Sequence, residues 1–465
     1  MRKLLLISFL FLLIPCCLFG QKVITYGGQV PTYGGEVMTS DYLTMSWYGI
    51  QIDEANSSPD VTRIASNMDV HAVLPVHSLI KACLLNDDGS VNYYLDPADW
   101  SKKEDGIASV LDGADGQVMI EWPDFYYKVE SDYPSAGKHQ IKISLSSLYG
   151  FTKVAKHYVS AYQSALKRTG TVTMASVKNA STDYRGGNNN AAWDAGDNTL
   201  LDMPASTFSR TNGRTYARER GAGWNLYGYN DHKWLFWFFA IEYGTLNSQK
   251  AVNAALTAEG YKQGGLGNGV STAVGAEWNT FNSYNPFILC GASDSLANGS
   301  GEVSVIKTNF GGAGVDRTFT VPRYRGHENP FGHIWNICDG VNIEVQSVAG
   351  GDKTNTYVAD DPADWNDANY TNYTNHGEQA RVNGYEKKAL LGATADFVPT
   401  DVTGNSTTYY CDYYYTSIPG SGGNLRMLLV GGAADTGALA GFVLSHVTNA
   451  PSSTFTAIGS RLCFK

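Results

Sequence analysis

Residues able to do chemistry are plentiful in this chain but poorly arranged for it. Nine histidines occur among 465 residues, and none falls into an H-E-x-x-H or comparable ligand spacing. His157, His232 and His333 therefore read as satisfied structural residues, while His446 stands apart only through its place near the end of the chain. The 44 carboxylates leave room for an acid–base pair of the glycoside-hydrolysing kind, yet no motif points to any two of them. In ENPFGHIWNICDG (328–340) the oxygen-bearing residues Glu328, Asn329, Asn336 and Asp339 are close in sequence, and a calcium ion needs several such oxygens to converge. RGGNNN (185–190) is no phosphate loop, because no Lys-Ser/Thr follows the glycines.

Thiol chemistry is equally poorly provided for. Five of the seven cysteines lie beyond residue 20: Cys83, Cys290, Cys338, Cys411 and Cys463. Their wide spacing forms no C-x-x-C pair, which disfavours zinc and thioredoxin-type chemistry. An odd number leaves at least one unpaired, and buried structural thiols are the preferred account.

The elements that must position these residues are β-rich. Charged residues are 17% of the chain and hydrophobic ones 43%, with 50 Gly and 29 Tyr; this is ample for a core and typical of a loop-rich, aromatic-decorated protein. A net charge of −10 without a basic face argues against a nucleic-acid partner. MRKLLLISFLFLLIPCCLFGQK opens with Arg2 and Lys3, runs apolar over 4–14 and turns small and polar by Gly20. That is the pattern of a secretory signal peptide over 1–20, too short for a membrane span. An exported, extracellular or cell-surface protein is expected; acylation of Cys16 or Cys17 is not favoured, and no later segment is apolar enough to cross a bilayer.

Residues 21–40 carry the short repeat TYGGQVP, TYGGEVM and read as an extended linker or β-arm. A smaller β-rich module is expected over 41–144, with strands in MSWYGIQI, SLIKACLL, VNYYL and GQVMIEWPDFYYKVE. NDDG (86–89) supplies a hairpin turn. Asp96-Pro97 should open a helical turn with Asp as N-cap, and the same DPADW recurs at 361–365. A larger domain over 145–465 shows two helices. One is SRTNGRTYARERG, capped by Ser209 or Thr211 and stopped by Gly221. The other is NDHKWLFWFFAIEYGTLNSQ, headed by Asn230 or Asp231, apolar all round and so buried on most sides. The long polar loops at 184–198 and 348–377 are of the kind that is functional or mobile.

The chain closes on LRMLLV, a buried-strand run, followed by GGAADTGALAGFVLSHVTNAPSSTFTAIGSRL (431–462). This last stretch contains no Trp, Met, Lys, Gln or Glu. AGFVLSHV and TAIGSRLCF suit two strands joined by TNAPSST; in the second, Ile458, Ser460, Leu462 and Phe464 share a face and Arg461 lies on the other.

The order SRTNGRTYARERGAGWN, HKWLFWFFAIEYGTLNSQ, YRGHENPFGHIWNICDGVNI, then LLVGGAADTGALAG…IGSRL resembles the C-type-lectin-like variable proteins targeted by diversity-generating retroelements in bacteria, notably gut Bacteroidetes, and their phages. The leading region, from YGIQIDEANSSPDVTRI to VMIEWPDFYYKVE, is similar to that of exported or tail-associated members. The resemblance implies an α+β fold, with two helices on a small twisted antiparallel sheet, related to formylglycine-generating enzymes. It also implies a ligand-binding face at the C-terminal hairpin. Adenine-directed mutagenesis of pyrimidine-ending codons cannot yield the five residue types absent from 431–462. Carried over, the contact positions are Ala434, Asp435, Thr436, Leu439, Leu444, His446, Thr448, Asn449, Ser452, Thr454, Phe455 and Thr456. Gly437, Ala440, Gly441, Ile458, Gly459, Arg461 and Leu462 are scaffold. Relatives often carry an aromatic where this chain has Ala434, so its face is expected to be flatter.

The same resemblance makes 332–337 a core strand with Trp335 as packing. The preferred account of 328–340 is thus structural, and no cofactor or catalytic residue is expected. Formylglycine-generating enzymes use thiols at their corresponding C-terminus, whereas 431–462 has none and thiolate chemistry fails without them. The expected function is recognition of a protein or glycan ligand on another cell, phage or host surface, in an adhesin- or receptor-like manner. The alternatives are a surface carbohydrate-active enzyme and a structural surface or tail-like component.

Overall fold

The computed structural model describes residues 46–194, 199–312 and 314–465, together with the backbone of Thr32–Tyr33 and Glu36–Val37. The signal peptide expected over 1–20 and most of the arm over 21–40 lie outside them. Of the arm, Thr32–Tyr33 pairs antiparallel with Glu36–Val37.

Three larger sheets make the fold strand-rich. The first is antiparallel throughout, in the order Thr152–Val154, Phe125–Glu130, Lys138–Ser144, Trp47–Asp53, Thr62–Ala65. The second runs Trp224–Leu226, Leu462–Phe464, His157–Ser160, Gln117–Trp122, Lys81–Leu85, Val91–Asp96, Asp99–Lys103. The third runs Thr374–Glu378, Thr354–Val358, Trp335–Gln346, Gly423–Val430, Ser445–Val447, Tyr413–Thr416, Gly384–Tyr385, with Ile458–Gly459 added parallel to Trp335–Gln346.

The helices are α1 (Val70–Val73), α2 (Arg210–Arg218), α3 (Tyr229–Tyr243) and α4 (Gly275–Asn282). As expected, Ser209 caps α2, its hydroxyl accepting from the Asn212 N–H at 3.2 Å. Asp231 reaches back to accept from the Gly228 N–H at 3.0 Å, closing the first turn of α3. A helix that is apolar on every side must be covered on every side, and α3 is. Trp234 packs on Phe125 and Tyr127 of the first sheet, with ring centroids 5.1 and 4.6 Å away. Phe238 meets Trp122 of the second sheet at 4.8 Å, and Phe239 meets Phe442, beside the third, at 5.0 Å. His77, from the loop before Lys81–Leu85, donates its Nε2–H to the Phe238 carbonyl at 2.9 Å.

Strands from both sides of the boundary expected at 144/145 share sheets around this helix. Lys138–Ser144 and Thr152–Val154 flank the same strand. The C-terminal strand Leu462–Phe464 is built into the sheet that begins at residue 81. A single apolar cluster runs from Tyr48 to Val447 around α3. Two separate modules would each have left one side of the helix uncovered.

Local expectations met mixed outcomes. NDDG is a hairpin turn, the Gly89 N–H donating to the Asn86 carbonyl at 2.9 Å. GQVMIEWPDFYYKVE is two strands parted at Pro123-Asp124, since proline cannot donate to a central ladder. Asp96-Pro97 opens no helical turn: it bends the hairpin between Val91–Asp96 and Asp99–Lys103. The second DPADW does form a 3₁₀ turn, Pro362–Asp364, capped by Asp361. TAIGSRLCF yields Ile458–Gly459 and Leu462–Phe464, which join different sheets.

Candidate functional site

Residues 431–462 begin as a loop pinned at both ends. The Thr436 hydroxyl accepts from the Ala433 N–H at 2.8 Å, and Gln249 donates its side-chain amide to the Gly437 carbonyl at 2.9 Å. The chain then enters the third sheet at Ser445–Val447, between Gly423–Val430 and Tyr413–Thr416. The following loop is anchored through its backbone. Pro451 O accepts from the Arg210 N–H at the start of α2, and Phe455 O from the Thr207 N–H, both at 3.1 Å. Its side chains are left outside: Ser452, Thr454 and Phe455 are exposed, Phe455 by half its surface. The scaffold role of two glycines is steric. A Cβ on Gly441 would sit 2.0 Å from Asp412 Oδ1, and one on Gly459 2.5 Å from Ala205 O.

These segments open a cleft of about 410 Å³. Asp435, His446, Thr448, Asn449, Phe455 and Thr456 line it, half of the twelve positions expected to make contact. Its floor comes from elsewhere: Trp335, the first residue of Trp335–Gln346, with Trp278 of α4 and Tyr284 just beyond it. Trp278 is fixed by donating its indole N–H to Asn285 O at 2.8 Å, and Tyr284 meets it edge-on at 5.0 Å. Trp335 is set by its own N–H, which donates to Ala457 O at 2.9 Å, and its ring lies 5.0 Å from that of His446. Tyr415 stacks obliquely on His446 from the next strand, at 5.2 Å. Burial pushes the His446 imidazole down to about 4, so it is neutral at physiological pH.

No family model and no curated protein matches the chain. The site therefore rests on its own geometry.

That geometry corrects two expectations. Ala434 is fully buried, packed into a cluster with Trp278, Phe281 and Phe287. Leu444 is also fully buried, because 440–445 is covered on both faces. Trp335 packs on two core clusters, as expected, and its half-buried ring also reaches the cleft floor. The remaining positions, Thr436, Leu439, Ser452 and Thr454, are exposed or half-buried outside the cleft, Thr436 serving the loop itself. Arg461, expected as scaffold, is buried, and its guanidinium donates to four main-chain carbonyls. The missed floor residues are Tyr284, just beyond α4, and Trp278 within α4. Its only periodic signal was Trp278 and Phe281 three residues apart, in a segment without a side-chain cap.

Of the residues weighed for calcium, Glu328, Asp339 and Asn336 are engaged by protein donors, while Asn329 Oδ1 is buried without a hydrogen-bond partner. Glu328 accepts from the Gly291 and Ser293 N–H groups at 2.9 and 2.6 Å and from the Ser293 hydroxyl at 2.7 Å. Asp339 receives Arg214 in bidentate fashion at 2.6 and 2.8 Å. Asn336 accepts from the Gln163 amide at 3.3 Å. Among the described residues no group of three or more His, Cys, Asp or Glu is placed to hold a metal, and no helix is long and apolar enough to cross a membrane. His232 and His333 sit in buried hydrogen bonds to Phe442 O and to the Phe287 and Ile288 N–H groups. His157 bonds Ala155 O through Nδ1 at 3.0 Å. All five described cysteines are buried and unpaired, and burial raises the Cys463 thiol well above its ordinary range.

Proposed function

We propose that this chain is an exported, adhesin- or receptor-like protein whose C-terminal stretch rims a recognition cleft on a C-type-lectin-like scaffold. One observation carries the proposal: six of the expected contact positions converge on one cleft with an aromatic floor. The rim side chains Asp435, Phe455 and Asn449 extend from backbone that is held by main-chain bonds and glycine packing. They can change without disturbing the core, as display loops on rigid frames require. Aromatic floors are where recognition energy concentrates. The ligand belongs to a protein or glycan surface outside the cell, and variation at 431–462 would retune it.

A surface glycosidase is the competing account. It needs two carboxyl groups across one bond, about 5–10 Å apart, whereas the cleft lining holds one carboxylate, Asp435.

The test is a binding screen of the full chain on immobilised glycans and surface proteins, with Asp435→Asn and Phe455→Ser beside the parent. Saturable capture without turnover, lost in the variants while stability stays within about 0.5 kcal/mol as at ordinary surface sites, supports recognition. Turnover, or unfolding of these variants, refutes it. For the retroelement origin, the adjoining DNA decides: a reverse transcriptase gene and an adenine-bearing near-copy of the codons for 431–462 are expected.

A further inference from the structure

The chemistry of the cleft narrows what it binds, an inference that rests on the recognition role proposed above. Three ring systems form its floor, Trp278, Tyr284 and Trp335, and the exposed Phe455 stands on its rim. Asp435 is the one charged side chain in the lining, which contains no Lys or Arg. His446 adds no positive charge, since its buried imidazole is neutral. The volume of about 410 Å³ falls within the range of small-ligand sites.

We propose that the cleft binds a quaternary alkylammonium head group, seated against Trp335, Tyr284 and Phe455 with Asp435 as its counter-charge. The negative faces of aromatic rings attract a cation, most strongly where water is excluded. A trimethylammonium group is weakly hydrated and has no N–H to satisfy, so ring surface with one carboxylate suffices. A primary ammonium brings three donors that each need an acceptor. An anion would meet Asp435 with no cation to offset it. The net charge of −10 raises the local concentration of cations around the protein. Trp335 and Tyr284 lie outside 431–462, whereas Phe455 and Asp435 lie within it, so variation there would alter the counter-charge and the rim ring while two rings stay constant.

Calorimetric titration of the full chain tests this with four probes: choline, its neutral isostere 3,3-dimethylbutan-1-ol, ethanolamine and methyl glucoside. Choline is expected to bind saturably and at least about tenfold more tightly than the isostere, the factor that 1.4 kcal/mol represents. Asp435→Asn, an exposed position, should weaken choline about five- to tenfold and leave the isostere unchanged. Trp335→Phe, which keeps a ring, should weaken choline less than Trp335→Leu. Equal binding of choline and isostere, or indifference to Asp435→Asn, overturns the cation. Ethanolamine matching choline overturns the quaternary assignment, and methyl glucoside alone binding makes the site a sugar site. Should choline fail while the surface screen still depends on Asp435 and Phe455, the recognition role stands and this inference falls.

Discussion

Replacing Arg461 by Met should be among the most destabilising single changes in the C-terminal stretch. Arg461 is 1% exposed. Its Nη1 donates to Ser160 O and Ala161 O at 3.2 and 3.3 Å. Its Nη2 donates to Asn329 O at 2.8 Å and to Glu328 O. Burial lowers its pKa to about 10, so it is still charged at neutral pH. The side chain thus clamps the last strand to the 157–160 strand and to the 328–329 turn. Ala161 O keeps a second donor, the Glu328 N–H at 2.8 Å. The other three carbonyls lose this donor, and each buried acceptor left unpaired costs about 1–3 kcal/mol. Removing a buried cation returns part of that through relieved desolvation, leaving a net loss of about 3–5 kcal/mol. In urea, with an m-value of about 3–4 kcal/mol/M for a chain larger than the small proteins that give 1–3, the midpoint should fall by about 1 M. Arg461→Lys should recover less than half, because an ammonium cannot fan out to four carbonyls. Equilibrium unfolding followed by tryptophan fluorescence is the assay. A midpoint within about 0.3 M of the parent for Arg461→Met would refute the clamp.

Two further outcomes follow from buried groups. Glu386 and Asp412 are both buried, the two Glu386 oxygens and Asp412 Oδ1 have no hydrogen-bond partner, and burial raises both carboxyls well above their ordinary values. A raised folded-state pKa means the folded chain holds protons the unfolded one has lost, so this contribution to stability is present in acid and declines as pH rises above the ordinary carboxyl value of 4.5. Glu386→Gln should flatten the fall in stability between about pH 5 and 8; an unchanged pH profile would show that the pair does not titrate with folding. The five described cysteines are buried and unpaired, and burial raises their thiols. A disulfide-exchange reagent should label none of them in the native protein and all of them in denaturant; fast native labelling of Cys290 or Cys463 would contradict that burial.

The sequence by itself determined those features whose physics is local. Helices α2 and α3 were legible because Ser209 and Asp231 satisfy first-turn N–H groups and α3 carries an unbroken apolar run. NDDG was legible as a hairpin turn. Half of the candidate site was legible too, in the restricted alphabet of 431–462, which marked the rim. The tertiary structure alone decided the rest. DPADW makes this plain: at both places the Asp carboxylate accepts from the Ala N–H, at 2.8 and 2.9 Å. Yet Trp100 is drawn into a hairpin and bonds Asn298, while Trp365 follows a 3₁₀ turn and bonds Ala359 O. The shared bond spans two residues; the partners that choose between outcomes are elsewhere in the chain. Ala434 and Leu444, carried over as contact positions, are buried because side chains from distant parts of the chain cover their segments. The cleft floor was invisible because Trp278 and Tyr284 come from one segment and Trp335 from another. They became one site only when α4 and two sheet strands were packed around the same loop.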